Sequence, residues 1–264
     1  MAKNSHSGGT SPGHGIRINK LLASLGLCSR RQADEWIAQG RVRLNNKILA
    51  APGARVVPGR DCLAVDGLEL NIGSQADCRP GQQTCILLHK PIEVVCTVRD
   101  PQGRTTVLDI LPAELRVARI YPVGRLDYFS EGLLLLTNDG ELANRLAHPS
   151  WKHERVYLVR VRGHISEKNL AIMRQGMQLA EGEILAPVAA KILETDHRST
   201  LLEFRLYQGI NRQIRRMCRD QDLTILMLRR IQHGPLALGE LPKGAFRKLS
   251  DQEVRNLRRA VGLE

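Results

Sequence analysis

The sequence is compatible with an α+β fold in two unequal parts. Three observations agree with it. Strand-like runs separated by short helical stretches recur through the longer C-terminal part. Near the N-terminus two small helices followed by short strands make a compact unit, and a polar, Gly- and Pro-bearing stretch from Asn71 to Thr84 divides it from the rest of the chain. At 264 residues the chain can bury one medium-sized core and one small one. The expected organisation is a disordered tail over 1–15, a small domain over 16–72, a linker over 73–83 and a larger domain over 84–264.

Residues 1–15 carry Gly, Ser, His and Pro without periodicity, so His6 and His14 are expected in solvent. The same stretch lacks an apolar segment and reads as neither signal peptide nor anchor, which makes the cytoplasm the default compartment. From Ile18 the apolar residues Leu21, Leu22 and Leu25 recur at helical spacing, and Gly26 can end that helix. Ser29 is placed to cap a second helix whose apolar side is Ala33, Trp36 and Ile37, closed by Gly40. Strand candidates come next at Val42–Leu44 and Lys47–Leu49, joined by Asn45-Asn46, and at Cys62–Val65 and Leu68–Ile72, joined by Asp66-Gly67.

Beyond the linker, Cys85–His89 reads as a buried strand stopped by Lys90-Pro91, and Val94–Thr97 as a second strand. Leu133–Leu136 fits a fully buried strand, with Asn138-Asp139-Gly140 supplying a tight turn at positive φ. Glu141–Ala147 and Ser166–Gly176 are helical, while Val156–Val161, Val188–Leu193 and Leu201–Tyr207 are strand-like. Around Asn211–Cys218 a helix keeps Ile214, Met217 and Cys218 on one face and loads the rest with Arg212, Arg215, Arg216 and Arg219. The last helix opens with Ser250-Asp251-Gln252-Glu253, a capping box, which makes Asp251 and Glu253 structural.

The formal net charge is +12, from 39 Lys and Arg against 27 Asp and Glu. Such a balance concerns partners rather than fold and leaves two candidates, nucleic acid and an anionic membrane. The longest apolar runs are far too short to span a bilayer, so nucleic acid is the better reading. Between Ile16 and Ile48, Arg17, Lys20, Arg30, Arg31, Arg41, Arg43 and Lys47 stand against Asp34 and Glu35; spacing alone leaves this row either solvated or phosphate-facing. Cys28, Cys62, Cys78, Cys85, Cys96 and Cys218 lie scattered with no Cys-x-x-Cys and no paired His spacing, the pattern of buried free thiols rather than a metal site.

The stretch that carries chemistry is Ile120–Gly140. It sets Asp127 in an otherwise apolar segment between Gly124 and Gly132, in a loop that leads into the four-leucine strand. A carboxylate there needs a partner or a task. Arg125 is the local cation, so spacing leaves two readings open: a structural Arg–Asp pair, or a catalytic acid at the mouth of a cleft.

Gly124-Arg125-Leu126-Asp127 with Ser130-Glu131-Gly132 and the run through Gly140 resembles the signature of the RsuA-type ribosomal RNA pseudouridine synthases, the family that includes the large-subunit enzymes B, E and F. The His-Lys-Pro segment at His89 and the segment from Asp100 to Val107 are similar to that family as well. Asp139–Leu146 resembles the B type and Asn211–Cys218 the F type. Departures are slight: Ser130 stands where Thr is common, and Ile210 where a basic or polar residue is common. Residues 16–72 separately resemble the alpha-L RNA-binding motif, which turns the basic row toward RNA, with Arg17, Lys20, Arg30, Arg31 and Arg41 as its expected contacts.

The resemblance implies a pseudouridine synthase domain with a mostly antiparallel sheet and a cleft across its middle. It implies isomerisation of a uridine to pseudouridine within ribosomal RNA, with the large subunit favoured and no cofactor. Asp127 takes the place of the catalytic acid. Tyr157, which by strand position alone reads as core packing, takes the place of the residue that stacks on the target base, with Arg155 as the basic residue two positions before it. Arg215 takes the place of the basic partner of the acid, where a neighbouring cation favours a charged carboxylate. Arg125 is expected to hold the loop or fill the space the base vacates, and Arg212 and Arg216 to contact RNA. The expected partner is ribosomal RNA or an assembly intermediate, with no membrane contact, and the expected state is a monomer. The alternative is a non-catalytic RNA-binding or ribosome-assembly factor, which would have no need of Asp127, Tyr157 and Arg215 together.

Overall fold

A computed structural model describes residues 15–72 and 83–264, which fall into two compact units on either side of residue 82. The expectations for the tail with His6 and His14, for the linker, and for Cys78 lie outside the described residues.

In the first unit β1 (Ile16–Arg17) leads into α1 (Ile18–Ser24), and α2 (Arg30–Ala38) comes after it. The Ser29 hydroxyl accepts the Gln32 amide while the Gln32 side chain accepts the Ser29 amide, so two amide donors at the helix start are satisfied. Then come β2 (Val42–Leu44), β3 (Lys47–Ile48), β4 (Arg55–Val56), β5 (Leu63–Val65) and β6 (Leu68–Leu70). The sheet order is β3-β2-β5-β6, and β4 pairs with β1, a pairing the sequence did not announce. Asn45 and Asn46 sit at φ 50° and 65°, and Asp66 and Gly67 at 51° and 81°, the left-handed pairs that a two-residue hairpin turn requires. Ile18, Leu21, Leu22, Ala33, Ile37, Val42, Val56 and Leu63 close the core between helices and sheet.

The second unit runs β7 (Cys85–Lys90), α3 (Ala113–Val117), β8 (Tyr121–Pro122), β9 (Glu131–Thr137), α4 (Gly140–Ala147), β10 (Arg155–Arg162), α5 (Glu167–Gln175), β11 (Ala189–Thr195) and β12 (Ser199–Leu206). It ends with α6 (Gln213–Arg219), β13 (Ile225–His233), β14 (Leu236–Ala237), β15 (Phe246–Lys248) and α7 (Asp251–Ala260), the last capped by Ser250 and Glu253 as the sequence predicts. Seven strands stand in the order β11-β12-β10-β13-β9-β7-β15, with β14 beside β13 and β8 beside β9. Every pairing is antiparallel except β13 with β9. That single parallel contact lies in the middle of the sheet.

β9 is buried along its whole length because both faces of the sheet are covered. Leu133 and Leu135 pack with Leu87, Leu142, Leu146 and Leu257 on one side; Leu134 and Leu136 pack with Ile86, Leu88, Leu111 and Ile120 on the other. The four-leucine run therefore needs no polar alternation. Glu131 at the head of β9 is buried, and Arg229 Nε at 2.7 Å and Lys243 Nζ at 2.5 Å neutralise it. The described residues contain no helix long and apolar enough to cross a membrane.

Three sequence expectations are corrected. Val94–Thr97 is not a strand: Glu93 turns the chain at φ 63°, and Val95 makes only an isolated bridge to Thr106. Asn138-Asp139-Gly140 is not a positive-φ turn. Asp139 instead caps α4, its carboxylate accepting the amides of Glu141 and Leu142 and the Arg258 guanidinium. Gly132 does not close the Asp127 loop but lies inside β9 at φ 110°. Among the described cysteines, all free, Cys28, Cys85 and Cys218 are buried as expected, whereas Cys62 and Cys96 are partly exposed.

Candidate active site

Asp127 is presented by a turn that is held from both sides. Ser130 donates its amide to the Asp127 carbonyl at 3.0 Å, and the wholly buried Lys90 donates Nζ to the carbonyls of Pro91 at 2.8 Å, Asp127 at 3.2 Å and Ser130 at 2.8 Å. The Cys96 thiol accepts the Leu126 amide at 3.3 Å. Burial brings the Lys90 ammonium down to about 8, the neighbouring Cys96, Asp127 and Glu131 opposing that shift. With three carbonyls as partners, Lys90 holds the turn's backbone rather than its carboxylate.

The carboxylate is met by α6. Arg215 Nε lies 3.3 Å and Arg212 Nη1 3.4 Å from Asp127, and both approach the same oxygen, Oδ2. Arg215 also donates Nη2 to the Phe129 carbonyl at 2.7 Å and the Ser130 hydroxyl at 2.9 Å, so one guanidinium binds the acid and the turn carrying it. Burial lowers the Arg215 pKa and the Asp127 charge opposes it; an arginine keeps its proton under either influence. Arg212 reaches the acid from a left-handed backbone, φ 51°, at the N-cap of α6. Asp127 itself is partly exposed, its side chain 29% accessible.

Both sides of this pair open on a cleft of about 640 Å³. Tyr157 of β10 lines it, together with Arg125, Arg155, Leu228, Arg230 and His233. Seven arginines line the cleft against two aspartates, and both acids are engaged: Asp127 as above, Asp100 by a two-pronged contact from Arg104. The surplus is positive, which suits a polyanion.

The structure thus brings Asp127, Tyr157, Arg215, Arg125 and Arg212 to one cleft. Arg216 turns elsewhere, to Glu181 and Glu183. In the first unit Arg17, Lys20, Arg30 and Arg31 are exposed, whereas Arg41 is taken up by Asp66 at 2.6 and 2.8 Å and lies 4.7 Å over the Trp36 ring. Sequence reasoning missed what Lys90, Ser130 and Arg230 do. Lys90 could have been noticed as a lone cation at the end of an apolar strand, and Ser130 as the hydroxyl beside the acid. Arg230 left no signal, because β13 carries no clean apolar period.

Comparison with known proteins identifies the family. Residues 84–220 match the family model for RNA pseudouridylate synthase, and residues 16–62 that for the S4 domain. The chain is 38% identical over 250 residues to an uncharacterized RNA pseudouridine synthase of Aquifex aeolicus, covering 94% of this chain and 96% of the relative. To the ribosomal large subunit pseudouridine synthase B of Bacillus subtilis it is 36% identical over 244 residues, covering 92% and 95%. Among solved structures, a crystal structure of a pseudouridylate synthase superposes with a TM-score of 0.63 at 26% identity, over 92% of this chain and 99% of that one.

Proposed function

We infer the function from one premise, that the chain belongs to the RNA pseudouridylate synthase family. It is an isomerase that converts a uridine to pseudouridine in ribosomal RNA, and its likeness to large-subunit enzymes of the B type favours large-subunit RNA as substrate. The N1–C1′ bond breaks, the uracil turns, and C5 bonds to the same sugar carbon while the C5 hydrogen leaves as a proton and N1 takes one up. Nothing is oxidised and no group leaves the RNA.

Asp127 is the ionised carboxylate of this reaction, nucleophile or charge stabiliser, acting at C1′ or at C6 of the base. The observation that carries this role is its contact with Arg215, 3.3 Å away, in the cleft that Tyr157 lines. Arg215 anchors Oδ2 and the turn, which fixes the direction of the carboxylate. Arg212 shares Oδ2, so neither ion pair occupies the other oxygen. Tyr157 offers its ring to the uracil once the base has left its stack, a contact worth about 1–3 kcal/mol. Arg125, exposed beside the acid, supports the loop or takes the vacated place in the RNA. The small N-terminal domain adds phosphate contacts through Arg17, Lys20, Arg30 and Arg31, which position the RNA without choosing the base. This reading takes the protein to be a cytoplasmic monomer whose partner is ribosomal RNA or an assembly intermediate.

The test is release of tritium from ribosomal RNA labelled at uracil C5. Wild type releases it; Asp127→Asn does not, while its RNA affinity stays within about threefold, because the substitution keeps the side-chain shape. Equal release by both proteins would remove Asp127 from the chemistry and favour the reading of an RNA-docking factor.

A further inference from the structure

Beside Tyr157 the cleft floor carries charge that the protein does not neutralise. Arg155 precedes Tyr157 by two residues on β10, and both line the cleft where the β10–β13 ladder shifts register between Val156 and Tyr157. Arg230 of β13 is the register partner of Tyr157 across the antiparallel pair, and all three line the cleft. Arg230 is 2% exposed. Its Nε donates to the Leu133 carbonyl at 2.8 Å, and its Nη2 is buried with no hydrogen-bond partner. Burial lowers the Arg155 pKa, Tyr157 opposes the shift and Arg230 adds to it; among the described residues no carboxylate acts on Arg155.

Among the described residues the surroundings offer no counter-charge. His233, also lining the cleft, is held well below its ordinary value, first by burial and then by Arg230, Arg155 and His153, so it is neutral at pH 7. Its Nε2 and that of His153 are buried without partners. Both aspartates of the cleft are already bound by other arginines. Two adjoining guanidiniums without an acid are costly to bury, and such an arrangement is stabilised when a ligand supplies the anion.

We propose that Arg155 and Arg230 form an anion subsite in the cleft floor, which takes a phosphodiester group of the substrate strand next to the nucleotide whose base stacks on Tyr157. This rests on the isomerase reading above. A phosphodiester fits better than the base itself: uracil is neutral, whereas the phosphate oxygens carry the charge and match the fork of a guanidinium. Tyr157 receives the ring and the two arginines receive the backbone, so the floor holds one nucleotide at both ends.

The experiment uses the full chain and an unmodified large-subunit ribosomal RNA transcript, with filter binding across a salt series beside tritium release. For Arg155→Gln we expect affinity to fall and KM to rise about tenfold, kcat to stay within about threefold, and the slope of log affinity against log salt to shrink by about 0.7–0.9. Arg155→Lys restores the slope. Arg230→Gln behaves as Arg155→Gln does; should it fail to fold, judged by thermal melting, Arg155→Gln decides. An unchanged slope, or a fall in kcat with KM unmoved, overturns the proposal, since the guanidinium would then act on the base or on the shape of the cleft. Binding and its salt slope need no turnover. Absence of tritium release from wild type would therefore sink the isomerase reading and leave the anion subsite to be judged by the slope.

Discussion

Gly132 and Arg230 face each other across the one parallel contact of the sheet, so closely that a Cβ on Gly132 would stand 2.2 Å from the Arg230 carbonyl oxygen and 2.6 Å from its amide nitrogen. Gly132 is also at φ 110°, a conformation side chains rarely adopt. The pairing joins the strand that continues from the Asp127 turn to the strand that carries Arg230, so the cleft depends on it. Gly132→Ala should lose about 1–3 kcal/mol from the backbone alone, and more from forcing β9 and β13 apart, seen as a lower melting temperature. Gly103→Ala, at φ 70° with open space around it, should show the backbone part only. Equal losses for the two would mean that β9 and β13 need not approach so closely.

The two arginines on Asp127 should differ in effect. Arg215 makes contacts to the acid, the Phe129 carbonyl and the Ser130 hydroxyl, whereas the half-exposed Arg212 makes one contact to the acid. Lysine keeps the charge but cannot bridge acid and turn. Losing one charge-assisted hydrogen bond costs about 1.5–3 kcal/mol, so Arg215→Lys should reduce kcat/KM by about 10–150-fold, while Arg212→Lys stays within about tenfold. Steady-state tritium release measures both. A larger loss for Arg212→Lys would reverse the roles given to the two residues.

The sequence made some of this legible and hid the rest for physical reasons. Asp127, Tyr157 and Arg215 stood out through the resemblance of their motifs to a known family, since spacing alone left Asp127 open to a structural pair and read Tyr157 as core packing; β9 stood out because a strand covered on both faces is apolar throughout. β13 did not, because its polar residues are taken up by partners on other strands: Arg229 with Glu131, and the buried Arg230 with the Leu133 carbonyl. Val94–Thr97 has β-branched residues, yet Glu93 turns the chain and leaves only the bridge at Val95. Asn138-Asp139-Gly140 carries turn chemistry that serves equally as a helix cap, and the Arg258 guanidinium on Asp139 favours the cap. Such contacts join residues far apart in the chain, so no local spacing announces them.

The basic row of the first unit gives a prediction that separates docking from chemistry. Arg30 and Arg31 stand exposed at the start of α2, in the turn that Ser29 caps through its own hydroxyl. Replacing both with Gln should reduce the salt slope of ribosomal RNA binding by up to about 2, as each lost phosphate contact releases one fewer counterion. Turnover at saturating RNA should hold. An unchanged slope would take α2 out of the RNA interface.

Lys90 links the turn to pH. Its ordinary pKa of 10.5 falls to about 8 in the folded protein because the ammonium is buried among the carbonyls of Pro91, Asp127 and Ser130. Between those two values the unfolded chain binds more protons at this residue than the folded one does, so stability contributed here rises with pH. The contribution is fully present above 10.5 and is lost as pH falls through about 8. Lys90→Met loses the three carbonyl contacts at every pH, but it also loses this slope. Urea unfolding from pH 7 to 10.5 should therefore show wild type gaining on Lys90→Met, by at most on the order of 3 kcal/mol, since a tenfold change in proton affinity is worth about 1.4 kcal/mol. Parallel curves for the two proteins would mean that the ammonium is better solvated than its burial implies, and that what holds the Asp127 turn is the set of carbonyl contacts at no electrostatic cost.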